Sequence, residues 1–171
     1  MLLTIAGVIA AIAVMNAVYP AVTRSSSALS SASGTVDDRI KTNISIVHSV
    51  GERDTGGNYV DSCEANTDFD FCVWVKNVGD TRIPAIDQSD VFFGQPGAIR
   101  RIPHEDDAGG LYPRWSYTIE NGTGWEVAKT VRFTITFDDT VCDGDDTCST
   151  GTYFVRIITP NGVSSEAYFS M

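Results

Sequence analysis

The chain has 171 residues, with 22 acidic against 12 basic side chains and a formal net charge of −10. That length holds one ordinary domain plus an appendage rather than two full cores. Lys and Arg are few and scattered, which excludes the basic stripe that phosphate recognition needs, and nucleic acid with it.

The first segment, "MLLTIAGVIAAIAVMNAVYPAV", carries no charge, and only Thr4 and Asn16 are polar before Thr23. As a helix it would span roughly 33 Å, about the thickness of a bilayer core. A secretory signal peptide would begin with a basic residue, and none precedes Arg24. A buried core helix would show a polar face, and this one is apolar all round. The segment therefore reads as a membrane span or as a helix packed among other apolar helices. The contact surface would be Leu3, Ile5, Val8, Ile9, Ile12, Met15, Val18, Tyr19 and Val22. Gly7 and the alanines at 6, 10, 11, 13, 17 and 21 would let such helices approach closely.

Pro20 cannot donate to the carbonyl of Asn16 and should loosen the helix locally. Beyond it comes "TRSSSALSSASGTVDDRI", in which Val22, Leu29, Val36 and Ile40 are spaced by seven, seven and four. That spacing makes a thin apolar seam on a continuing helix. The helix is expected to run to about residue 40, weakened near Gly34. A flexible Ser-rich linker is the alternative.

After Ile40 the period changes to two. In "TNISIVHSV" Ile44, Ile46, His48 and Val50 share a face; in "FDFCVWVKN" Phe69, Phe71, Val73 and Val75 do. In "TVRFTITF" Val131, Phe133, Ile135 and Phe137 alternate with polar residues, and "TYFVRIIT" and "VSSEAYFS" close the chain. "TRIPAI", "DVFFG", "AIRRI" and "RWSYTI" are further strand candidates. Turn signals such as "VGD", "QPG", "NGTG" and "PNG" separate these runs, so an antiparallel sandwich is expected. Helices do not alternate with strands, which disfavours a doubly wound nucleotide-binding sheet.

Four cysteines form two local pairs, Cys63 with Cys72 and Cys142 with Cys148. Even number and short separation suit disulfides in an oxidising compartment, although spacing alone leaves the connectivity open. Asn43-Ile44-Ser45 and Asn121-Gly122-Thr123 match the glycan acceptor triplet, and Asn121 lies in an exposed turn. "DDTVCDGDDTC" gathers Asp143, Asp145 and Asp146 with Asp138 and Asp139. It reads as a solvated hairpin tip, with a calcium site as the alternative and no other cofactor expected. "HEDDAGG" reads as an exposed loop. The two histidines, His48 and His104, have no nucleophile elbow, phosphate loop or zinc helix around them. His48, on an apolar strand face, reads as a packed or edge residue, and no enzyme is expected.

An apolar helix starting at residue one, its Ser/Ala-rich continuation, "VKNVGDTRI" in an early strand and the closing "GTYFVRIITPNGVSSEAYFSM" together resemble an archaellin. That is the filament subunit of the archaellum, similar to type IV pilins in its helix and export route. The resemblance implies an α+β fold: a long N-terminal hydrophobic α-helix over 1–40, then an antiparallel immunoglobulin-like β-sandwich over 41–171. It also implies a leader removed just before Met1, a helix held in the membrane before assembly, and a filament core built from that helix afterwards. The partners implied are further copies in a helical homopolymer and the export and assembly machinery; the location is an extracellular surface filament. Ile5 stands where many bacterial type IV pilins have glutamate, which points away from that group. An envelope-binding protein of the archaellum base, with the same helix-plus-sandwich plan, is the nearest alternative; an adhesive pilin is another.

Overall fold

The computed structural model describes residues 2–52, 69–137 and 151–170; within the helix, the side chains of 2–6, 8–11 and 17 lie outside that description. Residues 1–38 and 39–171 form two compact units.

Helix α1 spans Leu2–Lys41, continuous through Pro20 and Gly34. The Ser-rich half is therefore helix rather than linker. Thr23, Ser27, Ser31 and Thr35 each donate to a carbonyl three or four residues back, at 2.9–3.1 Å. Bonds of that kind satisfy the hydroxyl within the helix at a small cost to its stability. Arg39 and Lys41 occupy the last turn, where cations favour the negative end of the helix dipole. Among the described residues no helix is long and apolar enough to cross a membrane. Much of the apolar run expected to do so consists of residues whose side chains are outside the description.

Among the described residues the second unit is a sandwich of two four-stranded antiparallel sheets. One sheet has the order β1 (Ile44–Glu52), β2 (Phe69–Asn77), β6 (Thr130–Phe137), β5 (Arg114–Ile119). The other has β4 (Arg100–Ile102), β3 (Asp90–Gly94), β7 (Thr152–Ile158), β8 (Ser164–Ser170). The expected alternation is clearest on β6, where Val131, Phe133, Ile135 and Phe137 are all buried. Cross-strand register places Val73 opposite Phe133 and Val75 opposite Val131, so the inward faces of β2 and β6 coincide.

Aromatic rings fill the space between the sheets. Phe71 of β2 lies 4.5 Å from Phe93 and 4.9 Å from Tyr153, centroid to centroid, and Phe137 and Phe169 complete the group. These are tilted and edge-on contacts, which add to the burial of apolar area. Trp115, Trp125 and Phe133 form a second group.

Three strand readings change. The pairing of β1 with β2 shifts between Ile46 and His48, inserting Val47 as an extra residue. The apolar face read through Ile44, Ile46, His48 and Val50 therefore breaks. His48 turns to the side of Trp74, its ring 5.2 Å away, and is exposed on an edge strand. "TRIPAI" is not a strand: Pro84 lacks a donor, Ala85 is left-handed (φ 50), and Ile86–Gln88 form a 3-10 turn. "AIRRI" contributes only Arg100–Ile102, because the preceding turn, closed by Ala98 N–H to Gln95 O at 2.9 Å, uses Gly97 at φ 97.

Candidate functional site

Two surfaces stand out as candidate sites. The first is the apolar track on α1. Ile12, Met15, Tyr19, Val22, Leu29 and Val36 are all more than half exposed, Leu29 at 72%. Their spacing alternates three and four from Ile12 to Val22 and continues at sevens through Leu29 and Val36. A helix brings such positions onto one stripe. Of the core helix residues named from sequence, Ile12, Met15, Val18, Tyr19 and Val22 are described and exposed. The side chains of Leu3, Ile5, Val8 and Ile9 lie outside the described residues.

The second surface is where the last turn of α1 enters the sandwich. Lys41 carbonyl is left over at the helix end and accepts the Asp80 N–H at 2.8 Å. Asn43 carbonyl accepts Val78 N–H at 2.9 Å and Gly79 N–H at 3.0 Å. This turn, the "VKNVGD" motif, is held from inside by Asn77, which is fully buried. Its Nδ2 donates to Thr81 O at 2.8 Å and Trp125 O at 3.2 Å, and its Oδ1 accepts Gly79 N–H at 3.0 Å. A Cβ on Gly79 would sit 2.4 Å from both Asn43 N and Lys41 O, so only glycine lets the two backbones meet this closely. The "TPNG" turn approaches the same place: Asn161 Nδ2 donates to Thr42 Oγ1 at 2.5 Å, and Arg39 Nη2 to Gly162 O at 3.5 Å. Sequence reading singled out both motifs without assigning their residues a task. A buried Asn followed two residues later by Gly, at the end of a strand, is the signal that would have found the socket.

Elsewhere the expected features fall as follows. Asn43 and Asn121 are exposed, and Asn121 Oδ1 accepts Thr130 N–H at 2.9 Å. His104 is buried, contrary to the reading of "HEDDAGG" as an exposed loop. Its ring stands edge-on to Trp115 at 4.5 Å because the segment pairs with β5 through a parallel bridge; Glu105, Asp106 and Asp107 beside it are exposed. Among the described residues no group of three or more His, Cys, Asp or Glu is placed to hold a metal. Cys72 is disulfide-bonded. Cys63, Cys142 and Cys148, and with them both expected pairings, lie outside the described residues, as do Asp143, Asp145 and Asp146.

Comparison with known proteins returns a consistent group. Residues 1–169 match the model of the family described as archaeal-type flagellin. A protein of Archaeoglobus fulgidus described as uncharacterized is 29% identical over 175 residues, covering 99% of this chain and 94% of the relative. The solved archaellum periplasmic stator protein FlaG from Sulfolobus acidocaldarius superposes with a TM-score of 0.53 at 22% identity, over 75% of this chain and 99% of that one. The stator complex of FlaF and FlaG from the same organism gives 0.51 at 21% identity, over 74% and 87%. At these identities the solved structures show the sandwich fold.

Proposed function

This chain belongs to the archaeal-type flagellin family, which ties it to the archaellum, and we propose that it serves there as a membrane-anchored envelope component of the stator kind. The observation that carries this reading is the change in α1 at Val22. Up to that point the helix is apolar all round; from Thr23 to Lys41 its large apolar residues are Leu29, Val36 and Ile40 alone. A helix buried in a filament core meets neighbours on every side and gains from apolar residues on every side. An all-round apolar segment followed by a polar helix suits an anchor in lipid with its continuation in water. The likeness of the sandwich to a periplasmic stator protein supports the same role.

On this reading residues 2–22 lie in the membrane and the sandwich faces the oxidising exterior. There Cys63–Cys72 and Cys142–Cys148 form disulfides, and Asn43 and Asn121 accept glycans. The role is structural and needs no catalysis or bound calcium.

A second reading, the filament subunit expected from sequence, draws support from the family match, which runs through helix and sandwich alike. Shearing cells and probing both fractions with an antibody to the sandwich separates the two. The anchored component stays with the membranes, and a filament subunit dominates the sheared filaments. Recovery mainly with the filaments would overturn the first reading.

A further inference from the structure

We propose that the open edge of β5 at Tyr117 and Ile119 takes up an extended segment of a partner protein as an added strand, with a Lys or Arg of that segment meeting the carboxylates beside it. The anchored role says where the chain resides and not what its sandwich holds, so the proposal goes beyond that role.

The edge follows from the register. β5 lies at the end of its sheet and pairs with β6 on one side only. Trp115 turns its main-chain groups to the other side: its N–H donates to Pro103 O at 3.0 Å, and its carbonyl accepts Glu105 N–H at 2.9 Å. Glu120 N–H, by contrast, donates toward β6, to Thr130 O at 3.1 Å. Main-chain groups alternate sides along a strand, so Tyr117 and Ile119 also turn theirs away from β6. Among the described residues no backbone group meets them there. Residues 103–105 thus fill the first part of this edge through a parallel bridge, and then the chain departs in a turn where Asp107 and Ala108 N–H donate to His104 O. An unpaired edge is a template for a further strand; main-chain bonds supply the affinity and neighbouring side chains the choice.

The neighbouring side chains make that choice. The vacant stretch of β5 lines a groove of about 660 Å³ together with Asp87, His104, Glu105 and Asp106. The three carboxylates are exposed, and no Lys or Arg lines the groove. His104 is different: its side chain is only 8% exposed, and its Nε2 has no hydrogen-bond partner among the described residues. A buried polar atom left in that state is costly, and a peptide group entering the groove offers both a donor and an acceptor for it. The free edge asks for an extended main chain and the carboxylates ask for a cation. A second copy of this chain would pair β5 with β5 and bring two acidic grooves together in molecules of net charge −10. That juxtaposition is unfavourable, so the occupant is a different, basic segment.

The test uses the full chain in detergent micelles and a short fluorescein-labelled peptide that alternates valine and threonine about one central lysine. Fluorescence anisotropy should show saturable binding, weakened about fivefold or more by glutamate in place of the lysine, or by Asp87→Asn combined with Asp106→Asn. The same peptide with N-methylated backbone amides should not bind. Amide exchange at Tyr117 and Ile119 should slow on binding, while Thr118, turned toward β6, should not change. Ile119→Pro removes an N–H that the β5–β6 ladder does not use and should abolish binding without moving the unfolding midpoint. Should that variant unfold, the paired asparagine substitutions, both at exposed positions, still decide the matter. Lack of saturation, equal binding of the methylated peptide, or unchanged exchange at Tyr117 and Ile119 overturns the proposal. Slow exchange there without peptide, lost on dilution, would mean that a second copy covers the edge and would overturn it too. The shearing experiment is read independently, so either result leaves the anchored role to stand or fall by itself.

Discussion

In the sandwich, Phe71, Phe133 and Ile135 expose nothing to solvent, whereas on α1 Met15, Tyr19 and Leu29 are each more than two-thirds exposed. The same kinds of side chain do different work in the two regions. Between the sheets they supply the driving force for folding one copy of the chain. On the helix they add nothing to the sandwich's core, so they bear on where the chain resides and what it joins. The sandwich is therefore complete in itself and the helix is not. Substitutions should reveal that division, in stability for one region and in association for the other.

The largest effect is expected at the centre of the sandwich. Phe71→Ala removes a ring that touches Phe93, Phe137, Tyr153 and Phe169 and should cost about 3–5 kcal/mol. Denaturant unfolding followed by tryptophan fluorescence reads it; a loss under about 1 kcal/mol would mean the rings are not packed as described. Next comes the junction. Gly79→Ala pushes a methyl into the backbone at Asn43 and Lys41 and should cost about 1–3 kcal/mol, with more rapid amide exchange at Val78 and Asp80. Unchanged exchange there would break the close-approach account. The smallest is Leu29→Ala. It should leave the sandwich's unfolding midpoint unmoved, within about 0.5 kcal/mol, while weakening association of the full chain. A large loss of sandwich stability from this change would erase the contrast between the regions.

The sequence carried much of this contrast openly. The change from all-round apolar to a single stripe on α1, and then to a period of two, is written in residue order. The alternation on β6 is as the residues suggest, because one face of that strand meets the core along its whole length. What stayed hidden depended on residues distant in sequence or on a single inserted position. The extra Val47 moves His48 to the outer face, and nothing in "SIVHSV" announces it. His104 looked like part of a charged loop until β5 brought Trp115 against it. The junction needed Lys41, Asn43, Asn77, Gly79 and Asn161 to meet, and three separate segments supply them. The expectation of a filament core over 1–40 came from the archaellin resemblance, while the polar character of residues 23–41 shifts preference towards an anchor.

The junction also fixes how the molecule would bear tension. The end of α1 leads directly into β1, and the carbonyls of Lys41 and Asn43, on either side of the helix end, are bonded to the turn that leaves β2. β2 is an interior strand, flanked by β1 and β6 along its full length. A pull on the last turn of the helix would thus reach β1 through the chain and the turn after β2 through the Lys41–Asp80 bond, dividing the load between two neighbouring strands.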